Sequence, residues 1–210
     1  MNNTKKKSPI SWVPTAYFAM GLPFVVLNMV TVLMFKGLEV DDKLITFWTS
    51  LILLPWTLKP LWSPFLELFR TKKFFVIVTQ LITGVTFGLV AFALNLSHFF
   101  SISIALLAIV AFSGATHDIA CDGVYMSELS NEDQAKFIGW QGAFYNIAKI
   151  LATGGLVYLA GYFIELNADA GLLTANKRAW MIILLILSVT MILLGIYHLF
   201  ALPSTQSASS

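Results

Sequence analysis

The chain has 210 residues, of which 58% are apolar and only 11% are charged, and its formal net charge is +2. Soluble domains carry about 25% charged residues, so this composition excludes an ordinary soluble domain and indicates a membrane protein. The small net charge and the lack of a large basic cluster argue against nucleic acid as a partner. The single cysteine, Cys121, excludes an intrachain disulfide.

The first apolar run covers residues 10–35, after a short polar start that contains three lysines. Its length, its prolines Pro14 and Pro23, and the further runs that follow argue against a cleaved secretory signal. We therefore expect a first transmembrane helix, bent at one or both prolines. Asn28 is its one strongly polar interior side chain.

The second and third runs cover residues 44–68 and 74–96. The second contains Lys59 among three prolines, which membrane helices tolerate when neighbouring groups satisfy the freed carbonyls. The third carries Gly84 and Gly88 at the spacing that permits a close helix crossing. Both runs are long enough to cross a bilayer.

The fourth run, residues 101–126, contains the most informative stretch of the chain. Asp118 and Asp122 lie four residues apart, so on a helix they share one face. Ionisable groups at such depth usually face a bundle interior or a water-filled cavity. His117 is a candidate for the same cavity or a histidine hydrogen-bonded within the bundle, and Cys121 is interpreted as a packing residue.

The fifth run covers residues 137–164 and the sixth residues 178–202. Ahead of the fifth run, Ser130 and Asp133 have the spacing of a helix-capping pair. The fifth run also has polar side chains within it. These are Gln141, Tyr145, Asn146 and Lys149.

Six such runs predict an all-α membrane protein. Its three parts are a basic N-terminus (1–9), a six-helix domain (10–203) and a polar tail (204–210). With the N-terminus inside, seven Lys and Arg lie on the inner side and four on the outer side, which predicts cytoplasmic termini. The inner set is Lys5, Lys6, Lys7, Arg70, Lys72, Lys73 and Lys136, and the outer set is Lys36, Lys43, Lys177 and Arg178.

Four charged residues lie within the predicted spans and balance in sign: Lys59, Asp118, Asp122 and Lys149. At a rise of about 1.5 Å per residue, Lys59 and Asp118 each lie ~14 Å from the cytoplasmic end, and Lys149 ~18 Å. We therefore expect the acids and lysines to meet in one layer. Such a pair can switch when a proton binds, which makes the two aspartates candidates for proton coupling.

The alternative is a static ion pair that fixes helix packing. His98 and His198 are interpreted as interfacial, and three scattered histidines predict no metal site. No Ser/His/Asp set, phosphate-binding loop or metal-ligand spacing is present in the sequence. We therefore predict a protein that is not an enzyme and uses no cofactor.

Several motifs resemble those of AmpG-like permeases and their acetyl-coenzyme A transporter relatives, within the major facilitator superfamily. The stretch from Leu54 to Pro64 is similar to the second-helix signature of that group. His117-Asp118-Ile119-Ala120-Cys121-Asp122 is similar to its fourth-helix Gln-Asp-x-x-x-Asp pattern, and residues 142–148 to its fifth-helix stretch. Asn146 stands where the group often has Arg, and Lys149, one turn on, is a candidate for the missing cation.

The resemblance implies the N-terminal half of a twelve-helix carrier, with its six helices arranged as 3+3 inverted repeats. It implies proton-coupled muropeptide uptake across a bacterial inner membrane, with a second six-helix half or a second copy as partner. Within it, His117, Gln141, Tyr145, Asn146 and Asn28 are cavity candidates. Drug, sugar or acyl-coenzyme A substrates, a truncated fragment and a non-transporting membrane scaffold are the alternatives.

Overall fold

A computed structural model describes residues 7–69 and 71–203 of the chain. Helices make up 89% of these residues, and the described part contains no strand. Six helices are long and apolar enough to cross a membrane, by length and composition. The predicted all-α fold with six spans is therefore confirmed. Predictions that concern Lys5, Lys6, Arg70 and the tail 204–210 lie outside the described residues.

The first span, Pro9–Gly37, is a single helical rod with two irregular turns. Pro14 lies in the first turn of its main helix. Backbone N–H groups there have no acceptor within the helix, so the N–H that proline lacks costs no hydrogen bond. Pro23 lies inside that helix, and a π turn begins three residues later. The segments are a 3₁₀ turn (Pro9–Ser11), α1 (Val13–Val25), a π turn (Val26–Val30) and α2 (Thr31–Gly37).

The second span, Asp42–Leu61, is broken into short pieces. Each of its prolines stands at the start of a new piece, since proline lacks the N–H and crowds the preceding turn. The prediction of one helix over residues 44–68 is therefore wrong in its second half. The pieces are α3 (Asp42–Ile52), α4 (Leu54–Leu58), a 3₁₀ turn (Lys59–Leu61) and, after the span, α5 (Ser63–Phe69).

Three long helices form the most tightly packed part of the bundle: α6 (Lys72–Ala93), α7 (Phe99–Glu128) and α10 (Leu172–Ala201). Helix α6 packs along both of the others. At Gly84 an added Cβ would lie 2.7 Å from Ile192 Cγ1 of α10. The close helix crossing that the glycine spacing permits is thus present at this position.

The fifth span begins at a capped N-terminus. Ser130 Oγ accepts a hydrogen bond of 3.2 Å from the Asp133 backbone N–H, so the predicted capping pair is confirmed. The π turn of this span contacts the π turn of the first span. Its segments are α8 (Asn131–Ile150), the π turn (Leu151–Leu156) and α9 (Val157–Leu166), with a 3₁₀ turn (Ala168–Ala170) before α10.

The spans are buried to different degrees. The first span contacts α7, α8 and α10, and 67% of its most apolar window is buried. The corresponding fractions are 22% for the second span and 17% for the fifth. These two spans therefore carry most of the unpartnered surface of the bundle.

Candidate functional site

Asp118 lies on α7 where α4 crosses it, and only 8% of the residue is exposed. Its Oδ2 accepts a hydrogen bond of 2.9 Å from Trp56 Nε1 and lies 3.8 Å from Lys59 Nζ. Gly114, one turn earlier, lets the indole approach, because an added Cβ there would lie 2.7 Å from the Trp56 ring. Phe24 packs edge-on against the same ring at 5.1 Å. The structure thus brings Lys59 to Asp118 and fixes the carboxylate between two residues of the broken second span.

The two oxygens of Asp118 differ in their surroundings. Oδ2 receives both contacts, whereas Oδ1 is buried and has no hydrogen-bond partner among the described residues. A buried polar atom without a partner is costly. A proton bound at Oδ1 would leave the Trp56 hydrogen bond at Oδ2 intact. This carboxylate can therefore change its protonation without losing its position.

Asp122, one turn along α7, has a different partner. Its Oδ1 accepts a hydrogen bond of 2.8 Å from the Tyr17 hydroxyl of α1. Tyr17 in turn packs edge-on against Tyr125 at 5.8 Å. The two aspartates share a helix face, but they are held by different spans.

Two cavities of about 380 Å³ each flank Asp122. The first lies between α1, α7 and α8, and the second lies beside the broken second span. The first is lined by Tyr17, Asp122, Tyr125, Met126, Gln134, Ala135, Ile138 and Gln141. The second is lined by Lys59, Pro60, Ser63, Pro64, Ile119, Asp122 and Met126.

His117 belongs to a separate buried cluster. Its Nε2 lies 2.9 Å from Gln80 Nε2, and Gln80 Oε1 lies 2.9 Å from His198 Nδ1. His198 Nε2 lies 2.9 Å from the Thr15 hydroxyl. In this amide orientation Gln80 donates to His117, which makes His117 Nε2 an acceptor, and His198 Nδ1 donates to Gln80. This series of hydrogen bonds joins α1, α6, α7 and α10. The side chains at its centre are almost fully buried.

This cluster bears on two of the predicted histidines. His117 was interpreted either as a cavity residue or as a histidine hydrogen-bonded within the bundle, and the structure shows the second, with Gln80 of α6 as its partner. His198 was interpreted as interfacial, and the structure adds that it is fully buried within the bundle. Consecutive residues on a helix point about 100° apart, so His117 and Asp118 reach different neighbours.

Lys149 does not join the acids. Its side chain is exposed on α8, and within the described residues the ion pair of Asp118 is with Lys59. The prediction that both lysines meet the acids in one layer is therefore wrong for Lys149. Asn28 is exposed as well, and so is Asn146, which donates to the carbonyl of its own helix at Gly142 over 2.8 Å.

Gln141 and Tyr145 are partly buried on α8. Gln141 lines the first cavity beside Asp122. Tyr145 lies at a close approach of α8 to α1, because a Cβ added at Gly21 would lie 2.9 Å from its carbonyl oxygen. Gln141 is thus part of the site around Asp122, and the Tyr145 backbone packs directly against the first span.

Sequence reasoning missed four residues that complete these contacts: Trp56, Tyr17, Gln80 and Thr15. Trp56 and Tyr17 are indistinguishable by type from aromatic residues that face lipid or pack in a core. Gln80 did carry a signal, since a lone amide in an apolar span usually bonds across helices.

Within the described residues, no group of three or more His, Cys, Asp or Glu is arranged to hold a metal ion.

Comparison of the chain with protein-family models, curated proteins and solved structures gives no match. The resemblance to AmpG-like permeases therefore depends on the motifs of the second, fourth and fifth spans alone.

Proposed function

We propose that this chain is the six-helix half of a proton-coupled solute carrier, with Asp118 as the group that binds and releases the proton. The observation that carries the proposal is the contact of Asp118 with Lys59, at 3.8 Å inside a bundle of six membrane-length helices. Charged groups at such positions are expensive and usually mark an ion or substrate pathway.

The geometry supports a simple coupling step. Protonation of Asp118 removes its attraction for Lys59, whose side chain is 37% exposed and can turn toward the second cavity. Lys59 lies on a 3₁₀ turn between proline-initiated segments, so its backbone is less constrained than that of a continuous helix. Loss of the proton restores the pair. Binding that favours one of these states shifts the population between them.

A complete carrier needs a second bundle to move against, with the site at the interface between the two. The surface available for it is formed by the second and fifth spans; Lys149 and Asn146 of the fifth span are exposed, and so is Asn28 of the first span. An exposed ammonium in the middle of a span is costly in lipid. We therefore propose a second six-helix half or a second copy of this chain as the partner on that face.

By resemblance, the membrane is a bacterial inner membrane and muropeptide is the first substrate to test. The excess of Lys and Arg on the inner side places both termini in the cytoplasm in this proposal. Drugs, sugars and acyl-coenzyme A remain alternative substrates. In this proposal a single bundle, held strictly monomeric, is inactive.

The test uses proteoliposomes that contain a pH-sensitive dye and the chain together with its partner bundle. We expect addition of the transported solute to move protons with the wild-type chain, and Asp118→Asn to abolish this movement. Asp169→Asn, the same change at an exposed position between α9 and α10, is the matched control and keeps full coupling. Undiminished proton movement with Asp118→Asn would contradict the proposal, as would coupled uptake by a strictly monomeric preparation.

The competing reading is a membrane scaffold in which the same ion pair is only structural. The hydrogen bond from Trp56 to Asp118 favours it, because that bond adds rigidity to the pair. Removal of both charges by Asp118→Asn with Lys59→Met separates the two. A scaffold keeps its stability and partner binding, whereas a carrier loses gradient-driven uptake.

A further inference from the structure

The hydroxyl donors around Asp122 are already used within the protein. The Tyr17 hydroxyl donates to Asp122 Oδ1 over 2.8 Å. The Tyr125 hydroxyl donates to the backbone oxygen of Gln134 over 2.6 Å. Neither phenol therefore has a hydrogen left to offer to a ligand in the first cavity.

One of the two amides of the cavity wall also has its hydrogens already used. Gln134 donates from Nε2 to the backbone oxygens of Met126 and Leu129, over 3.2 and 2.9 Å. Gln141, the other amide on the wall, carries an acceptor oxygen as well as N–H donors. Besides the Gln141 amide, the polar groups that the wall offers a ligand are therefore oxygen acceptors, chief among them Asp122 Oδ2.

The charge of the cavity wall also favours a cationic ligand. No ion pair within 4.0 Å joins Asp122 to a described Lys or Arg, and Lys59, which is paired with Asp118, lies on the wall of the second cavity. The first cavity thus has one carboxylate and two tyrosine rings. Aromatic faces and a carboxylate together attract organic cations.

We propose that this cavity binds the ammonium group of an organic solute, with Asp122 Oδ2 as its counter-charge and Gln141 as a further acceptor. A volume of about 380 Å³ suits a small organic molecule rather than a bare ion. The inference rests on the proposed function in taking this solute to be the transported one. The two aspartates then have different roles: Asp118 binds the proton, and Asp122 binds the substrate.

The test is calorimetric binding to the purified chain in lipid nanodiscs, without any gradient. The probes are L-phenylalaninamide, which carries an ammonium group, and 3-phenyllactamide, which carries a hydroxyl in its place. We expect the ammonium probe to bind at least tenfold more tightly than the hydroxyl probe. Asp122→Asn should weaken the ammonium probe by about tenfold to a hundredfold, the usual effect of losing one charged hydrogen bond.

Two further variants keep the result interpretable. Asp122→Glu retains the charge and should retain binding within a few-fold even if the cavity is slightly disturbed. Asp169→Asn leaves binding unchanged. Equal binding of the two probes, undiminished binding by Asp122→Asn, or no binding of the ammonium probe at millimolar concentration would overturn the inference, as would displacement of the probe by sodium at similar concentration. Failure of proton-coupled uptake with intact probe binding would instead overturn the proposed function alone.

Discussion

Asp118→Asn is the change that best separates a coupling carboxylate from a structural one, because asparagine keeps the shape of the side chain. Its amide oxygen can still accept the hydrogen bond from Trp56 Nε1, which in the wild type measures 2.9 Å. The charge and the attraction to Lys59 at 3.8 Å are lost. Stability and proton coupling are therefore expected to respond very differently.

The loss of stability follows from two contacts. A hydrogen bond to a charged acceptor contributes about 1.5–3 kcal/mol and a neutral one about 0.5–1.5 kcal/mol, so the Trp56 bond weakens by about 1 kcal/mol. An ion pair whose lysine is 37% exposed contributes only about 0–1 kcal/mol. Against these losses stands the cost of burying the charge, which the variant no longer bears. We expect a net destabilisation near ~1 kcal/mol, or a shift in Tm of about 2–4 °C for a chain of this size.

The measurement is thermal unfolding of the purified chain in detergent, followed by tryptophan fluorescence, beside the proton-movement assay. A structural pair behaves otherwise: breaking it costs about 3–5 kcal/mol, and removal of the second charge restores stability. A large loss with Asp118→Asn that Lys59→Met reverses, together with normal coupling in the double variant, would refute the reasoning.

Three further predictions concern the packing and the topology. Gly84→Ala should cost about 1–3 kcal/mol, because its added Cβ overlaps α10, whereas Gly142→Ala, with nothing within 4 Å of the added Cβ, should change Tm very little. Gln80→Met should cost about 2–4 kcal/mol by leaving two buried histidine rings without their partner; a loss no larger than that of Gly142→Ala would show that the cluster is not stabilising. In a cysteine-free background, Glu132→Cys and Ala170→Cys should react with an impermeant reagent from opposite sides of the membrane, and reaction of both from the same side would contradict the predicted crossing of the fifth span.

The parts of the fold that could be predicted from the sequence are those that depend on one segment at a time. Span number follows from hydropathy because each helix must satisfy its own backbone in lipid. The cap at Ser130 and the crossing at Gly84 follow from local spacing. Depth along a helix is also local, and it placed Lys59 and Asp118 at the same level.

The side of a helix that faces its neighbours depends on the packing of several segments. It could not be predicted from the sequence of one segment. Large apolar residues of α8 such as Trp140 and Ile150 are exposed alongside Lys149, so apolar character alone does not show which side of this helix faces the bundle. Lys149 lies at a suitable depth but on the exposed side. The same limit applies to Trp56 and Tyr17, whose hydrogen bonds to the two aspartates depend on which faces of three spans meet.

Helix α7 shows why a short motif can serve more than one purpose. His117 bonds to α6, Asp118 to the broken second span, and Asp122 to α1. Three residues within two turns of one helix thus contact three different neighbours, and each contact has its own chemistry. The buried amide and histidines on one side have fixed partners and resist rearrangement, whereas Asp118 faces segments interrupted by proline, which are easier to displace. A change in the protonation of Asp118 is therefore expected to move the turn that carries Lys59, while the hydrogen bond from Trp56 and the contacts with α6 keep Asp118 and α7 in place.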